Sequence, residues 1–104
     1  MPLAKLNAAD REVVAQCLRA AVEGPFFPDW EFPILFGLER AEVRTVLAAW
    51  PGVDESQTTV RLAINNSFSN LLGYPHGRER EWSRFISVSE DEVSRVFDRW
   101  RESA

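Results

Sequence analysis

Cysteine is almost absent from this sequence. Cys17 is the only one, so the chain cannot form an intramolecular disulfide. The first residues, Met-Pro-Leu-Ala-Lys, lack the apolar core of a secretory signal. From these two absences we expect a cytoplasmic protein.

Long apolar runs are also missing. The longest uncharged stretch, Leu62–Gly77, contains three asparagines and ends in Gly-Tyr-Pro-His-Gly. A segment of this composition is too polar to cross a bilayer. The sequence therefore predicts no membrane association.

Residues that carry chemistry are few. The chain has one histidine and five scattered glycines, without Cys-x-x-Cys, His-Glu-x-x-His, a calcium loop, a phosphate-binding glycine loop or a nucleophile elbow. We expect no metal, no cofactor and no catalytic residue. A small enzyme using His76, paired with Glu79 as acid and base, stays an alternative, although a second catalytic group is missing.

Basic residues are in the minority. The 12 Lys and Arg are outnumbered by 16 Asp and Glu, which gives a formal net charge of -4. This acidic balance favours solubility and disfavours binding to nucleic acid or anionic lipid. We expect a protein partner or a second copy of the chain rather than nucleic acid.

What the sequence does contain is helical periodicity. Apolar residues recur at a spacing of three and four in several segments, and no useful strand alternation occurs. We predict one all-α domain over residues 1–104, a compact bundle of four main helices and one or two short ones. The main helices are expected to run from a cap at Asn7 to Glu23, from Arg40 to Trp50, from Gln57 to Leu72, and onward from a cap at Ser89. Short helices are expected from about Asp29 and around Trp82.

The two halves of the sequence resemble each other. A shift of 50 positions places residues 8–50 on residues 58–100 without a gap, and pairs Trp50 with Trp100. Each half then consists of a long helix, a proline turn, a connector and a capped helix ending in Trp. This pattern favours an internal repeat, while chance alignment of amphipathic helices is the alternative. Both tryptophans complete apolar stripes and are predicted to be buried.

The predicted third main helix has an unusual face opposite its apolar stripe. It carries asparagine and serine where exposed helices normally carry charge. Two interpretations stay open: the asparagines satisfy backbone groups of the connectors inside the domain, or they form a surface for a partner or a second copy. The candidate binding residues on this face and just beyond it are Asn65, Asn66, Ser69, Asn70, Tyr74 and His76.

The first connector is rich in aromatic residues, with five between positions 26 and 36. Most of these rings are expected in the core, because the long helices supply few bulky side chains. One or two rings near Pro28 are candidates for an exposed anchor that contacts a partner.

One short segment resembles helix-turn-helix DNA-binding proteins. In Leu35–Val43 a glycine sits in the turn, and an apolar residue follows it. The resemblance implies a DNA-binding corner, but Glu39 and Glu42 stand where a recognition helix approaches phosphates, and Pro33 lies in the first helix. A capped helix corner is the competing interpretation. The sequence thus favours a non-catalytic interaction or regulatory protein, with DNA binding and a His76 enzyme as alternatives.

Overall fold

The computed structural model describes residues 2–102, and these residues form α-helices, short 3-10 helices and no strand. The all-α prediction is confirmed. The helices are α1 (Ala8–Glu23), α2 (Phe32–Phe36), α3 (Arg40–Ala49), α4 (Thr58–Gly73), α5 (Trp82–Phe85) and α6 (Glu90–Glu102), with 3-10 helices at Pro2–Lys5 and Glu79–Glu81. Four of them are long and two are short, as expected.

Helix starts follow the capping residues in the sequence. The Asn7 side chain accepts a hydrogen bond from the Asp10 amide at 2.7 Å, and α1 begins directly after it. Ser89 accepts from the Glu92 amide at 3.2 Å in the same way before α6. These local bonds satisfy backbone donors that a helix leaves unpaired in its first turn.

The short helix α2 begins later than predicted. It starts at Phe32, with Glu31 rather than Asp29 at its N-cap. Asp29 lies 3.1 Å from the Arg40 guanidinium, and residues 29–31 form a turn. The carboxylate therefore pairs with a cation on α3 instead of capping a helix.

The core forms where α1 and α4 pack together. Helix α3 packs against α1 and α4, and α6 packs against α4 and α1. The rings of Phe68 and Phe97 stack at 4.9 Å between α4 and α6. A Cα radius of gyration of 12.5 Å is close to the value of about 13 Å expected for a compact chain of this length.

Equivalent helices of the two halves begin 50 residues apart. The pairs are α1 and α4 (8 and 58), α2 and α5 (32 and 82), and α3 and α6 (40 and 90). The packing is reciprocal too, since α2 contacts α4 while α5 contacts α1. The internal repeat of residues 8–50 and 58–100 stays a prediction, now with matching helix order behind it.

Trp50 and Trp100, the two tryptophans paired by the shift of 50, differ in burial. Trp100 is 6% exposed, and its Nε1 donates to a carboxylate oxygen of Glu55 at 3.1 Å. Trp50 is only partly buried, because α3 ends at Ala49 and the ring lies at the edge of the core. The prediction of burial is confirmed for Trp100 and holds only in part for Trp50.

Ser67 lies on α4, and its hydroxyl oxygen is buried. Among residues 2–102 it is the one buried side-chain polar atom that has no hydrogen-bond partner. Burial without a partner is unfavourable for a hydroxyl group, so Ser67→Ala is expected to raise the free energy of unfolding by about 1 kcal/mol. Urea denaturation measures this. Ser69→Ala on the exposed side of α4 is the control, since it makes the same change in helix propensity. An equal effect of the two substitutions would show that burial of the Ser67 hydroxyl is not costly.

No helix in this part of the chain combines the length and the apolar character that crossing a bilayer requires.

Candidate functional site

The asparagines of α4 bond to backbone carbonyls at the end of α2. Nδ2 of Asn66 donates to the carbonyl of Phe36 at 2.7 Å, and Nδ2 of Asn70 donates to that of Leu35 at 3.1 Å. These carbonyls belong to the last turn of a helix and have no partner within it. The two asparagines therefore attach the first connector to α4. For Asn66 and Asn70 this agrees with the first of the two interpretations, in which the side chains satisfy backbone groups of the connector.

The neighbouring candidates on this face are more accessible. Asn65 is partly exposed and donates to the side-chain oxygen of Asn66 at 3.0 Å. Ser69 is exposed. Within residues 2–102, neither side chain donates a hydrogen bond to the connector, and the role of the six predicted residues in binding stays a prediction.

Tyr74 also contacts the connector. Its hydroxyl donates to a carboxylate oxygen of Glu31, just before α2. This hydrogen bond, with some desolvation and the negative charge of Glu31, raises the pKa of Tyr74 above its usual value. The phenol is therefore protonated at neutral pH and fixes the second half to the first connector.

Both ring nitrogens of His76 contact the backbone. Nδ1 accepts from the amide of Arg78 at 2.9 Å, which leaves the proton on Nε2, 3.3 Å from the carbonyl oxygen of Leu71. The ring packs edge-on against Phe26 at 4.9 Å between centroids. This arrangement fixes the turn after α4. Within residues 2–102, Glu79 forms no hydrogen bond with His76.

The thiol of Cys17 is inaccessible to solvent. The side chain is buried within α1, and this burial strongly raises the pKa of the thiol. A thiol held protonated away from solvent is a poor nucleophile.

The most exposed large apolar side chains of residues 2–102 lie on the first connector. Trp30 is 72% exposed and Ile34 is 75% exposed. We call this pair the Trp30–Ile34 surface. The exposed ring expected near Pro28 is thus Trp30, whereas the exposure of Ile34 was not predicted. The remaining aromatic residues of the connector are buried, as predicted: Phe26, Phe27, Phe32 and Phe36.

Arg40 holds the connector that carries this surface. Its guanidinium donates to the carbonyl oxygens of Ala21 at 2.9 Å and Phe27 at 2.9 Å, and lies 4.3 Å from the ring centroid of Phe32. Together with the bonds from α4, these contacts fix the backbone that carries Trp30. The Trp30–Ile34 surface is therefore presented by an ordered segment.

The second half has charged residues at the equivalent positions. A shift of 50 places Arg80 opposite Trp30 and Arg84 opposite Ile34, and both arginines are exposed. If the two halves are true repeats, which stays a prediction, the fold tolerates long charged side chains at these two positions.

The segment that resembles helix-turn-helix proteins is a tight corner between α2 and α3. Gly37 adopts the left-handed conformation at φ 65°, which glycine reaches without strain. Glu39 and Glu42 form a reciprocal capping box at the start of α3, and both are exposed. The first helix of the pair has only five residues.

Comparison with protein-family models, with curated proteins and with solved structures finds no match to this chain. Within residues 2–102, no group of three or more His, Cys, Asp or Glu side chains is arranged to hold a metal ion. The chain is all-α, and its first connector carries two exposed apolar side chains, Trp30 and Ile34.

Proposed function

We propose that this chain is a non-catalytic interaction protein that binds a partner protein through the Trp30–Ile34 surface. The observation behind this proposal is the exposure of both side chains, 72% and 75%, on a connector fixed by Arg40. Tryptophan is enriched among the residues that dominate binding energy at protein interfaces. A fixed backbone also reduces the entropy lost on binding.

The comparison of the two halves supports a role in binding rather than folding. Positions 30 and 80 are equivalent in the helix order, yet one carries Trp and the other Arg. An exposed tryptophan leaves a large apolar area in water, which is unfavourable for an isolated protein. Burial of this ring against a partner would remove that cost.

The charges beside the surface favour a different protein over a second copy. Asp29 and Glu31 flank Trp30 in the sequence. Asp29 pairs with Arg40 and Glu31 accepts from Tyr74, but the Asp29 side chain is still 98% exposed. A symmetric contact between two copies would bring these carboxylates towards their own equivalents, and like charges in an interface are unfavourable. A partner with an apolar pocket and basic residues at its rim matches the surface better.

The other candidate functions have less support. Both nitrogens of His76 contact backbone groups, and Cys17 is buried, so neither side chain is placed for catalysis. The start of α3 exposes Glu39 and Glu42, which would repel phosphates in the DNA-binding alternative. A protein partner is therefore the interpretation that these contacts support best.

The test is a double substitution that gives the first half the residues of the second, Trp30→Arg with Ile34→Arg. We expect a circular dichroism spectrum and an unfolding free energy within about 0.5 kcal/mol of the original chain, because both positions are exposed. Affinity capture from the source cells should lose its specific protein partner, with at least a tenfold drop in recovered protein measured by mass spectrometry.

The matched control is Arg80→Ala with Arg84→Ala, which changes the equivalent positions of the second half and should retain the partner. A double arginine variant that still captures the same partner would refute the proposal. Light scattering on the purified chain tests self-association. If the original chain is a dimer and the double arginine variant is a monomer, the surface binds a second copy of the chain rather than a different protein.

A further inference from the structure

A groove of about 430 Å³ lies between α3 and α4. Its apolar lining includes Val46, Ala49 and Val60, and its charged side chains are Glu42 and Asp54. None of the described residues that line the groove is basic. The groove therefore combines an apolar surface with uncompensated negative charge.

The carboxylates of the groove are available as acceptors. One oxygen of Glu42 accepts from the Glu39 amide at 2.8 Å, and no ion pair of Glu42 is found within residues 2–102. Asp54 accepts hydrogen bonds from the side chain and the backbone of Ser56, which lower the pKa of Asp54. Asp54 is therefore ionised at neutral pH.

The equivalent space in the other half contains a guanidinium group. Arg99 of α6 forms a two-pronged pair with Asp10 of α1, Nε to Oδ2 at 3.0 Å and Nη2 to Oδ1 at 2.9 Å. Nη2 also lies 3.4 Å from Glu92. Helices α6 and α1 are the equivalents of α3 and α4, so Arg99 bridges the counterpart of the groove.

The residues that replace this cluster in the groove are small or apolar. A shift of 50 places Ala49 at the position of Arg99 and Val60 at the position of Asp10, while Glu42 keeps the acid of Glu92. All three line the groove. In the second half, Arg99 provides a guanidinium group to Glu92 of α6. In the first half, α3 has the equivalent acid, Glu42, and an open groove, but no arginine at the equivalent position.

From this asymmetry we infer that the groove between α3 and α4 binds an arginine side chain of a partner protein. The methylene groups of the arginine pack on Val46 and Val60, the equivalent of Asp10, and its guanidinium pairs with Glu42, the equivalent of the Glu92 carboxylate that lies 3.4 Å from Nη2 of Arg99. Arginine suits the site because its planar guanidinium forms directed hydrogen bonds with carboxylates and is more weakly hydrated than an ammonium group. The inference does not depend on the Trp30–Ile34 surface.

The probe is N-acetyl-L-arginine N-methylamide, titrated into the ¹⁵N-labelled full chain at low salt. We expect saturating amide shifts around the groove, at Thr45, Ala49 and Val60, with a Kd on the order of 1–10 mM. The leucine and lysine derivatives of the same form should bind at least fivefold more weakly. Binding should also weaken at 0.5 M NaCl, since salt screens a partly exposed ion pair.

Two substitutions test the site itself. Ala49→Arg places a guanidinium seven residues after Glu42, the spacing of Glu92 and Arg99, and should weaken probe binding at least tenfold. Ala48→Arg is the control, because position 48 is exposed and does not line the groove, and it should bind as the original chain does. Glu42→Gln keeps an acceptor for the Glu39 amide and should weaken binding about fivefold.

Several results would overturn the inference: no shifts at the groove, equal binding of the leucine or lysine derivative, or unchanged binding in both Ala49→Arg and Glu42→Gln. The Trp30→Arg, Ile34→Arg variant should bind the arginine derivative normally. Arginine binding in the groove and partner binding by the Trp30–Ile34 surface can therefore be refuted independently of each other.

Discussion

Replacing Trp100 with Ala is expected to lower the free energy of unfolding by about 3–5 kcal/mol. The ring is buried, lies 6.3 Å from the ring centroid of Phe97 and also contacts Phe68. The substitution leaves a cavity and removes the Nε1 donor from Glu55, a residue that is itself only 4% exposed. Losing a partner of a buried carboxylate adds to the cost of the cavity.

Urea denaturation followed by circular dichroism measures this loss. Trp50→Ala is the matched control, because the two tryptophans are paired by the shift of 50 positions but Trp50 is only partly buried. We expect a loss of about 1–2 kcal/mol there, in proportion to its smaller buried area. A Trp100→Ala loss below about 1 kcal/mol, or equal losses at both positions, would contradict the packing described for α6.

Asn66→Asp is expected to destabilise the chain by about 2–4 kcal/mol at neutral pH. The substitution removes the amide that donates to Phe36 and places a carboxylate beside that carbonyl oxygen. Ser69→Asp introduces the same charge at an exposed position of α4 and should change stability by less than about 0.5 kcal/mol. Equal effects of the two substitutions would mean that Asn66 does not hold the connector.

The destabilisation by Asn66→Asp should depend on pH. The facing carbonyl favours the protonated acid, so folding raises the pKa of the new carboxyl group above its unfolded value of about 3.9. A protonated acid can donate to the Phe36 carbonyl, so the deficit relative to the original chain should be smallest below about pH 4 and grow as the pH rises. A deficit that is constant between pH 3 and pH 7 would exclude this explanation.

Helix bounds were predictable where they depend on local residues. Asn7 and Ser89 cap α1 and α6 through bonds to amides three residues later, and such bonds depend only on nearby sequence. The predicted N-cap of α2 at Asp29 was wrong: the helix has Glu31 at its N-cap, and Asp29 instead lies 3.1 Å from Arg40. That contact depends on the packing of the connector against α3, which local sequence does not specify.

The role of the α4 asparagines could not be decided from sequence for the same reason. The carbonyls that Asn66 and Asn70 contact are 30 and 35 residues away in the chain. The uncharged polar face indicated that these side chains contact another group. In the structure that group is the backbone at the end of α2. Whether Asn65 and Ser69 also meet a partner stays a prediction.

The exposure of the Trp30–Ile34 surface was only partly predictable. Composition marked the connector as aromatic, but the choice of which ring faces solvent follows from how Arg40 and α4 hold the backbone. The proposed arginine site needed still more information, because it comes from comparing the groove between α3 and α4 with the Arg99–Asp10 pair between α6 and α1 in the folded chain. Both sites depend on asymmetry between halves with the same order of helices.

The most direct test of the proposed function is site-specific photo-crosslinking in the source cells. A benzophenone amino acid is placed at position 30 in one variant and at the equivalent position 80 in another. We expect position 30 to yield a discrete crosslinked product between this chain and one other protein, reduced at least tenfold by Ile34→Arg, and position 80 to yield none of it. Absence of a product at position 30, or equal yield of the same product at both positions, would contradict the assignment of the Trp30–Ile34 surface as the binding surface.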